Sequence, residues 1–302
     1  MKDELLPLKG RVAIVTGAGG GLGRTHALYL ASRGARVVVN DLALPAAEHI
    51  ASEIAANGRE ALALAASVTD ETAIEELVRR TQDAWGRIDI LVNNAGILRD
   101  RSFAKMSIED FRLVVEVHLI GAAICCKAVW EAMRAQQYGR IVMTTSSSGL
   151  WGNFGQANYG AAKMALVGLM QTLAIEGEKY GIRVNSLAPT AATQMTHGVL
   201  ADASLELLDP ALVSPGLLAL VGDDAPTRAI LCAGAGHFAC ADVTLSEGRH
   251  IGAATDAGEQ LVAEWVDVSC RDGAVVPAYG FTQAERELAS AGSRSPALAV
   301  AR

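Results

Sequence analysis

Six short runs of β-branched and other apolar residues alternate with segments of helical length. The helical segments include residues 22–33, 45–57 and 70–85. Apolar runs without polar alternation predict strands buried on both faces, and strands that alternate with helices form parallel sheets. We therefore predict an α/β fold, a doubly wound parallel sheet with helices on both faces. The predicted strands are RVAIVT (11–16), ARVVVN (35–40), ALALAA (61–66), IDILVNN (88–94), GRIVMTT (139–145) and IRVNSLAP (182–189).

The first 250 residues contain no internal repeat and no linker rich in proline or serine. We expect residues 1–250 to form one domain and 251–302 to form a helical extension that packs on the same domain. The apolar spacing of Thr255–Val268 predicts an amphipathic helix in this extension. The motif TQAE (282–285) resembles a capping box at the start of a final helix, and residues 291–302 are expected to be loose.

Composition restricts the class of protein. The formal net charge of −7 and the lack of a basic run argue against a nucleic-acid partner. No apolar run reaches the roughly 18 residues of a membrane span, and the charged start MKDELLPLKG does not resemble a signal peptide. The five cysteines have no metal-ligand spacing, so we expect reduced thiols and no metal. These features favour a cytoplasmic enzyme or binding protein with a small-molecule partner.

A glycine-rich loop, TGAGGGLG (16–23), follows the first predicted strand and opens the first predicted helix. Gly17 can form a tight turn, Gly21 lets the backbone approach a diphosphate, and Gly23 permits close helix packing. The helix N-terminus supplies free N–H groups for phosphate. Such loops also occur as plain turns, but the strand–loop–helix context favours a dinucleotide site and a Rossmann-type fold.

Asp41 ends the second predicted strand, 18 residues after Gly23. A carboxylate there can accept hydrogen bonds from the adenosine ribose and would repel a 2′-phosphate. Gly20 occupies the loop position where an arginine could hold that phosphate. The pattern predicts NAD as the cofactor rather than NADP. The alternative is a solvated aspartate at a turn.

Tyr159 and Lys163, in NFGQANYGAAK (153–163), lie on one face of a predicted helix. An ammonium beside a phenol, joined by a positive nicotinamide ring, lowers the pKa of the tyrosine. Such a tyrosine can take a proton from an alcohol or return one to a carbonyl during hydride transfer. Lys163 can also reach the nicotinamide ribose, and Ser146 can hydrogen-bond the reacting oxygen. A Tyr-x-x-x-Lys pair also occurs on ordinary helix faces, but the upstream loop and serine favour catalysis.

Together these motifs resemble the short-chain dehydrogenase/reductase family. The loop 16–23, NNAG (93–96), Ser146, Tyr159 with Lys163, and the segment from Pro189 to Thr193 follow the family's order over about residues 8–250. The resemblance implies that Ser67 and Val68 lie near the adenine, with Ser67 where an aspartate is more usual, and that Thr193 contacts the carboxamide. The full set of cofactor-binding residues that it implies is Gly17, Gly21, Leu22, Gly23, Asp41, Ser67, Val68, Asn94, Ala95, Gly96, Tyr159, Lys163, Pro189 and Thr193.

His118 stands where most members of the family carry an asparagine that helps hold a proton-relay water. The resemblance implies a catalytic place for His118 beside Ser146, Tyr159 and Lys163. A residue inside a helix can serve such a relay through its backbone carbonyl, which histidine also has. The alternative is a packed histidine without a catalytic role.

Four stretches resemble more closely the (3R)-hydroxyacyl-CoA dehydrogenase part of peroxisomal multifunctional β-oxidation enzymes. This resemblance implies NAD-dependent oxidation of a (3R)-hydroxyacyl-CoA to a 3-oxoacyl-CoA, and a homo-oligomer, either a tetramer or a dimer. A hydroxysteroid or other neutral alcohol remains an alternative substrate, and a catalytically inactive nucleotide-binding regulator is a further alternative function. The stretches are NNAGILRDRSF (93–103), VHL (117–119), YGRIVMT (138–144) and GNFGQANY (152–159).

The composition of the expected substrate loop, residues 190–227, favours an apolar substrate but does not favour the phosphates of coenzyme A. The loop is rich in alanine and leucine, which suits an acyl chain or a steroid. It contains no lysine or arginine, and its acidic residues are Asp202, Glu206, Asp209, Asp223 and Asp224. Arg99, Arg101 and Lys105 could instead receive the phosphates of coenzyme A. The alternative is that these three cations form a solvated surface.

Overall fold

A computed structural model of the protein describes residues 6–193 and 205–292. Contacts within it divide the chain into two units, Met1–Ala241 and Asp242–Arg302. The first unit contains one eight-stranded sheet with the order β3-β2-β1-β4-β5-β6-β7-β8. All neighbouring strands are parallel except β7 and β8, which are antiparallel. The strands are β1 Val12–Val15, β2 Arg36–Asp41, β3 Ala61–Ala65, β4 Ile90–Asn93, β5 Gly139–Thr144, β6 Ile182–Thr190, β7 Ile230–Gly234 and β8 His237–Ala241.

Helices cover both faces of this sheet, so the predicted doubly wound α/β fold of the Rossmann type is confirmed. One hydrophobic cluster packs helices such as α3, α5 and α7 on one face, and a second packs α1, α2 and α8 on the other. The helices are α1 Gly21–Ser32, α2 Leu44–Ala56, α3 Glu71–Trp85, α4 Ile108–Val115, α5 Gly121–Gln136, α6 Ser147–Trp151, α7 Ala157–Gly177 and α8 Pro215–Val221.

The strand order reverses between β1 and β4. The chain runs outward from β1 through β2 to β3, then crosses back to place β4 on the other side of β1. Loops that leave the carboxyl ends of β1 and β4 therefore separate and open a crevice. Ligands of doubly wound sheets bind at such a point.

The helical stretch Ile108–Gln136 joins α4 to α5 through a π-helical turn, Glu116–Ile120. Among the described residues it alone is long and apolar enough to cross a membrane, by length and composition only, with a mean hydropathy of 1.8. A buried core helix passes the same test. In this domain Cys125, Cys126 and Met133 of the stretch are buried in the core beside the sheet.

Over residues 242–292, the part that the structure describes, the second unit contains three short helices, α9 Ala257–Ala263, α10 Trp265–Val268 and α11 Thr282–Ser290. The single amphipathic helix predicted for Thr255–Val268 is wrong, because the chain breaks at Glu264 into two helices. The predicted final helix is present.

The predicted capping box at the start of α11 is wrong. Thr282 is the first helical residue, whereas Phe281 occupies the N-cap position without a side-chain hydrogen bond. The Glu285 carboxylate instead accepts a hydrogen bond from the Tyr279 hydroxyl. Most of the segment expected to be loose, residues 291–302, lies outside the described residues.

Candidate active site

The glycine loop after β1 turns sharply into α1. Gly17 and Gly21 have positive φ angles of 62° and 51°, which glycine adopts without strain. A Cβ on Gly23 would lie 2.1 Å from the Gly17 carbonyl oxygen, so only glycine fits there. No side chain caps the N-terminus of α1 at Gly20. The N–H groups of Gly21, Leu22 and Gly23 therefore form a cradle of the kind that binds a diphosphate.

The end of β4 holds this loop in place. The Asn94 side-chain amide donates to the carbonyl oxygens of Thr16 (2.9 Å) and Gly17 (3.1 Å). The Thr16 hydroxyl accepts from the backbone N–H groups of Asn94 (3.0 Å) and Ala95 (3.1 Å). Sequence reasoning missed Thr16, because its role depends on a contact with β4 that no local pattern announces.

Asp41 lies at the end of β2, beside the loop. Its carboxylate accepts hydrogen bonds from the backbone N–H groups of Gly19 (3.0 Å) and Ala43 (3.2 Å). A Cβ on Gly19 would lie 2.8 Å from the carboxylate, whereas a Cβ on Gly20 would meet nothing within 4 Å. Gly19 therefore permits the approach of Asp41, a second feature that sequence reasoning missed.

The remaining predicted cofactor residues lie at the same edge of the sheet. Ser67 and Val68 follow β3, and the Ser67 hydroxyl bonds the Thr69 hydroxyl at 2.9 Å. Pro189 lies near the end of β6. Thr193 comes close to the glycine loop, with its Cγ2 atom 3.7 Å from an ideal Cβ on Gly21.

Ser146, Tyr159 and Lys163 converge where β5 ends. Ser146 is the N-cap of α6, and its hydroxyl accepts from the Ser148 N–H at 3.2 Å. Tyr159 and Lys163 lie on consecutive turns of α7, with the Lys163 Nζ atom 5.4 Å from the Tyr159 ring centre. Lys163 is buried and donates to the Thr144 carbonyl oxygen at 2.5 Å.

Burial dominates the electrostatics of this group. It lowers the pKa of Lys163 to about 7 and raises the pKa of Tyr159. A hydrogen bond from Ser146 lowers the Tyr159 pKa, and the charge of Asp100 raises it further. The predicted lowering of this pKa also includes the positive nicotinamide ring, whereas the protein groups alone raise the pKa of Tyr159.

His118 lies in the π-helical turn 116–120, next to Tyr159. The two rings meet edge to face with their centres 5.3 Å apart. The His118 Nε2 atom lies 2.8 Å from the Ile97 carbonyl oxygen and 3.1 Å from the Ile97 nitrogen, so it bonds one of them according to its tautomer. Burial first, and then the charge of Lys163, lower its pKa to about 3. The ring is therefore neutral at neutral pH and anchors the chain after Gly96.

A small cavity of about 10 Å³ lies behind these side chains. Its volume is about that needed to admit one water molecule. Two polar atoms of nearby residues, Asn93 Oδ1 and His118 Nδ1, are buried without a hydrogen-bond partner within the described structure. The residues that line the cavity are Thr16, Val68, Asn93, Ala95, Val117, His118, Ala122, Lys163 and Leu166.

The acidic residues of the expected substrate loop do not all belong to it. Asp223 bonds Arg11 at 2.7 Å and the Tyr138 hydroxyl at 3.1 Å, at the amino ends of β1 and β5. This is the opposite edge of the sheet from Ser146, so the expectation that Asp223 lies near substrate is wrong. Asp202 lies outside the described residues.

Arg99, Arg101 and Lys105 are exposed after β4. The backbone joins this region to the turn before α7, since the Arg101 N–H donates to the Gly155 carbonyl oxygen at 2.9 Å. Arg99 also lies 3.8 Å from the Asp110 carboxylate. Within the described chain, no group of three or more His, Cys, Asp or Glu residues is placed to hold a metal ion.

Comparisons with known proteins agree with this geometry. The profile of the short chain dehydrogenase family matches residues 11–203. Peroxisomal multifunctional enzyme type 2 of Mus musculus is 50% identical over 222 residues, which are 70% of this chain but only 30% of that enzyme. The chain therefore spans less than a third of the length of this relative.

Two solved structures are similar as well. The full-length peroxisomal multifunctional enzyme type 2 from Drosophila melanogaster matches with a TM-score of 0.78 and 38% identity, over 94% of this chain and 49% of that chain. A 7α-hydroxysteroid dehydrogenase complexed with NADH and 7-oxo glycochenodeoxycholic acid matches with a TM-score of 0.71 and 30% identity, over 77% of this chain and 96% of that chain. With its loop, its Ser–Tyr–Lys group and these matches, the chain belongs to the short-chain dehydrogenase family.

Proposed function

We propose that this chain is an NAD-dependent dehydrogenase that interconverts a (3R)-hydroxyacyl-CoA and its 3-oxoacyl-CoA. The observation that carries the reaction class is the convergence of Ser146, Tyr159 and Lys163 beside the glycine loop. Enzymes of this family are oxidoreductases that use nicotinamide cofactors. The choice of NAD and of the acyl-CoA goes beyond the family and rests on the residues discussed next.

The cradle at the N-terminus of α1 fits a dinucleotide, because a Cβ on Gly17 would collide with Ala95 and a Cβ on Gly23 would collide with the Gly17 carbonyl oxygen. Asp41 supports NAD, because its carboxylate at the end of β2 would accept ribose hydroxyls and repel a 2′-phosphate. Gly20 adjoins open space and supplies no cation for such a phosphate. The residues proposed to hold NAD are the predicted set, from Gly17, Gly21, Leu22 and Gly23 through Asp41, Ser67, Val68, Asn94, Ala95, Gly96, Tyr159 and Lys163 to Pro189 and Thr193.

The bound cofactor supplies the hydride acceptor or donor. Tyr159 passes the proton between its hydroxyl and the substrate oxygen, and Ser146 donates a hydrogen bond to that oxygen. The Ser146 oxygen accepts from the Ser148 N–H, so the Ser146 proton can be donated either to Tyr159 or to the substrate oxygen. Lys163 has two further N–H donors beyond its bond to Thr144, and these would be available to a ribose hydroxyl of the cofactor.

The cavity beside Lys163 supports a path for the proton. A lysine with a pKa near 7 can release and regain a proton at neutral pH. A water held in this cavity would lie beside Lys163 and His118, which both line it. In this proposal His118 serves through its place in the π-helical turn, which is a common site of function.

The acyl-CoA proposal rests on the four stretches that resemble (3R)-hydroxyacyl-CoA dehydrogenases and on the positive charges near the site. An acidic substrate loop would repel the phosphates of coenzyme A. Because Asp223 lies at the opposite edge of the sheet, this loop is less acidic than the sequence indicates. The exposed cations Arg99, Arg101 and Lys105 lie on the loop after β4, and two exposed aromatic residues, Phe103 and Phe154, adjoin them. Cations of this kind bind phosphates, and an adenine can stack on aromatic rings.

A hydroxysteroid is the second candidate substrate, because the similar 7α-hydroxysteroid dehydrogenase aligns over most of its length. A cytoplasmic location and a homo-oligomer also remain proposals. Exposed apolar residues on the helices after β4 and β5 support the oligomer. These are Ile108, Leu113, Ile120, Met164 and Ile175. Light scattering after gel filtration measures the oligomer directly.

The test compares NADH formation from matched (3R)- and (3S)-hydroxyacyl-CoAs, from the pantetheine thioester of the same acid, and from free hydroxysteroids. Faster turnover of steroids, or preference for the (3S) isomer, contradicts the acyl-CoA proposal. Tyr159→Phe should abolish nearly all turnover while NAD still binds, since acid–base catalysis contributes about 10²–10⁴-fold. Retention of more than about a tenth of the activity would require another acid–base group.

The proposed phosphate contacts are tested in the same assay. Arg101→Gln with Lys105→Gln should raise KM for the CoA thioester and leave KM for the pantetheine thioester unchanged. Arg80→Gln, an exposed arginine on α3, is the matched control. Equal KM changes for both thioesters would contradict a role in phosphate binding.

A further inference from the structure

A partly buried chain of hydrogen bonds connects the loop after β4 to the serine of the active site and to the turn before its tyrosine. The Gln156 side-chain amide donates to the Asp100 Oδ2 atom at 2.6 Å. The amide oxygen of Gln156 accepts from the Ser148 hydroxyl at 2.7 Å and from the Asn153 amide at 3.2 Å. Ser148 in turn donates its backbone N–H to the hydroxyl of Ser146. Three hydrogen bonds, through Gln156 and Ser148, thus link Asp100 to Ser146, the proposed partner of the reacting oxygen.

Backbone and side-chain bonds reinforce this junction. The Asn158 amide, fully buried, donates to the Arg99 carbonyl oxygen at 3.0 Å. The Arg101 N–H donates to the Gly155 carbonyl oxygen at 2.9 Å. Residues 99 to 101 are therefore bound at three successive positions to the turn that immediately precedes Tyr159. Such bonding leaves the start of α7 little freedom relative to β4.

The Asp100 carboxylate also has a destabilising feature, which its hydrogen bond to Gln156 does not explain. Its second carboxylate oxygen, Oδ1, is buried without a hydrogen-bond partner within the described residues. A buried acceptor without a partner destabilises the fold, and more so when it is charged. An asparagine would give Gln156 the same acceptor without the charge. Replacing Asp100 with asparagine therefore separates the link to Gln156 from the charge.

We propose that Asp100 is a positioning residue of this active site, which fixes the turn before Tyr159 through Gln156 and brings a negative charge to that turn. The inference rests on the proposed dehydrogenase function. The charge of Asp100 raises the pKa of Tyr159, in the same direction as burial. The other groups around the phenol are the Ser146 hydroxyl, the neutral His118 ring and the Lys163 ammonium. Asp100 thus favours the protonated tyrosine, the form that donates to a ketone oxygen.

Three variants separate the positioning role of Asp100 from the effect of its charge. Asp100→Asn keeps the acceptor for Gln156 and removes the charge. Gln156→Leu keeps the charge and removes the link. Glu109→Gln removes an exposed charge at the start of α4 and is the matched control. Thermal unfolding of each variant checks that the fold is retained.

For alcohol oxidation, the activity should rise with pH as Tyr159 ionises. Asp100→Asn should move that rise to lower pH, because the charge that favours the protonated phenol is gone while the acceptor for Gln156 remains. Gln156→Leu should lower kcat by about tenfold or more and leave the midpoint unchanged, because misplacement costs rate without changing charge. Glu109→Gln should match the wild type. A substrate with deuterium on the reacting carbon shows whether hydride transfer limits the rate at each pH.

A second readout does not depend on turnover. The phenolate absorbance of Tyr159 is obtained by titrating the wild type and subtracting Tyr159→Phe, and the same subtraction is made in the Asp100→Asn background. The midpoint should fall by the same amount as in the kinetic profile. Coincident profiles for Asp100→Asn and wild type, or full kcat in Gln156→Leu, would overturn the inference. Lack of any alcohol oxidation by the wild type would instead contradict the proposed function.

Discussion

His26 makes the stability of the domain depend on pH. The ring projects from α1 and is fully buried, and its Nδ1 atom lies 2.8 Å from the Ser214 hydroxyl at the start of α8. The Ser214 hydroxyl donates to Thr25, so the ring must donate its Nδ1–H to Ser214. Its Nε2 atom has no partner within the described residues. Burial therefore lowers the pKa of His26 from 6.5 to about 3.

The direction of this pH dependence follows from the protonation of His26 in the folded and in the unfolded protein. As pH falls through 6.5, the unfolded chain takes up a proton at His26, whereas the folded protein does not until about pH 3. Stability is therefore complete above the unfolded pKa and is lost as pH falls below it. Between about pH 8 and about pH 5 the two pKa values correspond to a loss of about 2 kcal/mol from this one residue. His118, with a pKa also lowered to about 3, contributes a similar loss.

The test is urea unfolding of the wild type and of His26→Asn at both pH values. Asparagine keeps a donor toward Ser214 but does not titrate. The smaller side chain lowers stability equally at each pH, so only the difference between the two pH values is compared. We expect that difference to shrink by about 2 kcal/mol in His26→Asn. His49→Asn, on the exposed face of α2, is the control. An unchanged difference in His26→Asn would refute the argument.

Three further predictions concern the cofactor loop and His118. NAD should be favoured over NADP by at least about tenfold in kcat/KM, and Asp41→Ala should narrow that gap, as measured by steady-state kinetics with both cofactors. Gly20→Ala should leave NAD binding within about twofold, whereas Gly23→Ala should abolish it, because a Cβ meets nothing at the first position and the Gly17 oxygen at 2.1 Å at the second. Titration calorimetry checks this contrast, and equal binding by the two variants would contradict it. His118→Asn should change kcat only a few-fold, whereas a loss on the order of 10² would show that the imidazole itself takes part in catalysis.

The sheet was predictable because its signals are local. Each of the six predicted strands is an apolar run flanked by helical segments, and the structure confirms all six. The last two strands, β7 and β8, were missed. β8 is almost wholly exposed, so its sequence HFACA lacks the buried, β-branched character of the other strands. Among the described strands it pairs with β7, at the edge of the sheet. An exposed edge strand of this kind does not need the apolar residues that reveal a buried strand in the sequence.

Electrostatic properties were harder to predict, because they depend on residues distant in sequence. The position of Asp223 follows from Arg11, 212 residues away, and no pattern near Asp223 indicates that pairing. The link between Asp100 and Gln156 spans 56 residues. The Tyr159–Lys163 spacing was visible at once, but the depth of burial that sets both pKa values is a property of the assembled domain.

His118 and Lys163 are two buried bases near the proposed reaction centre. Their burial determines which of them carries a proton near pH 7. His118 and Lys163 line the same cavity, and the charge of Lys163 is one reason that the pKa of His118 is low. A second positive charge in this space would meet both repulsion and desolvation, so the pair holds at most one proton beyond the neutral state near pH 7. Because the pKa of Lys163 is about 7 and that of His118 about 3, the proton resides on the lysine. The His118 ring is then confined to hydrogen bonding with Ile97, a task that fixes the chain after Gly96. An acid–base role in this pair therefore falls to Lys163, and the departure from asparagine at position 118 is compatible with an active dehydrogenase.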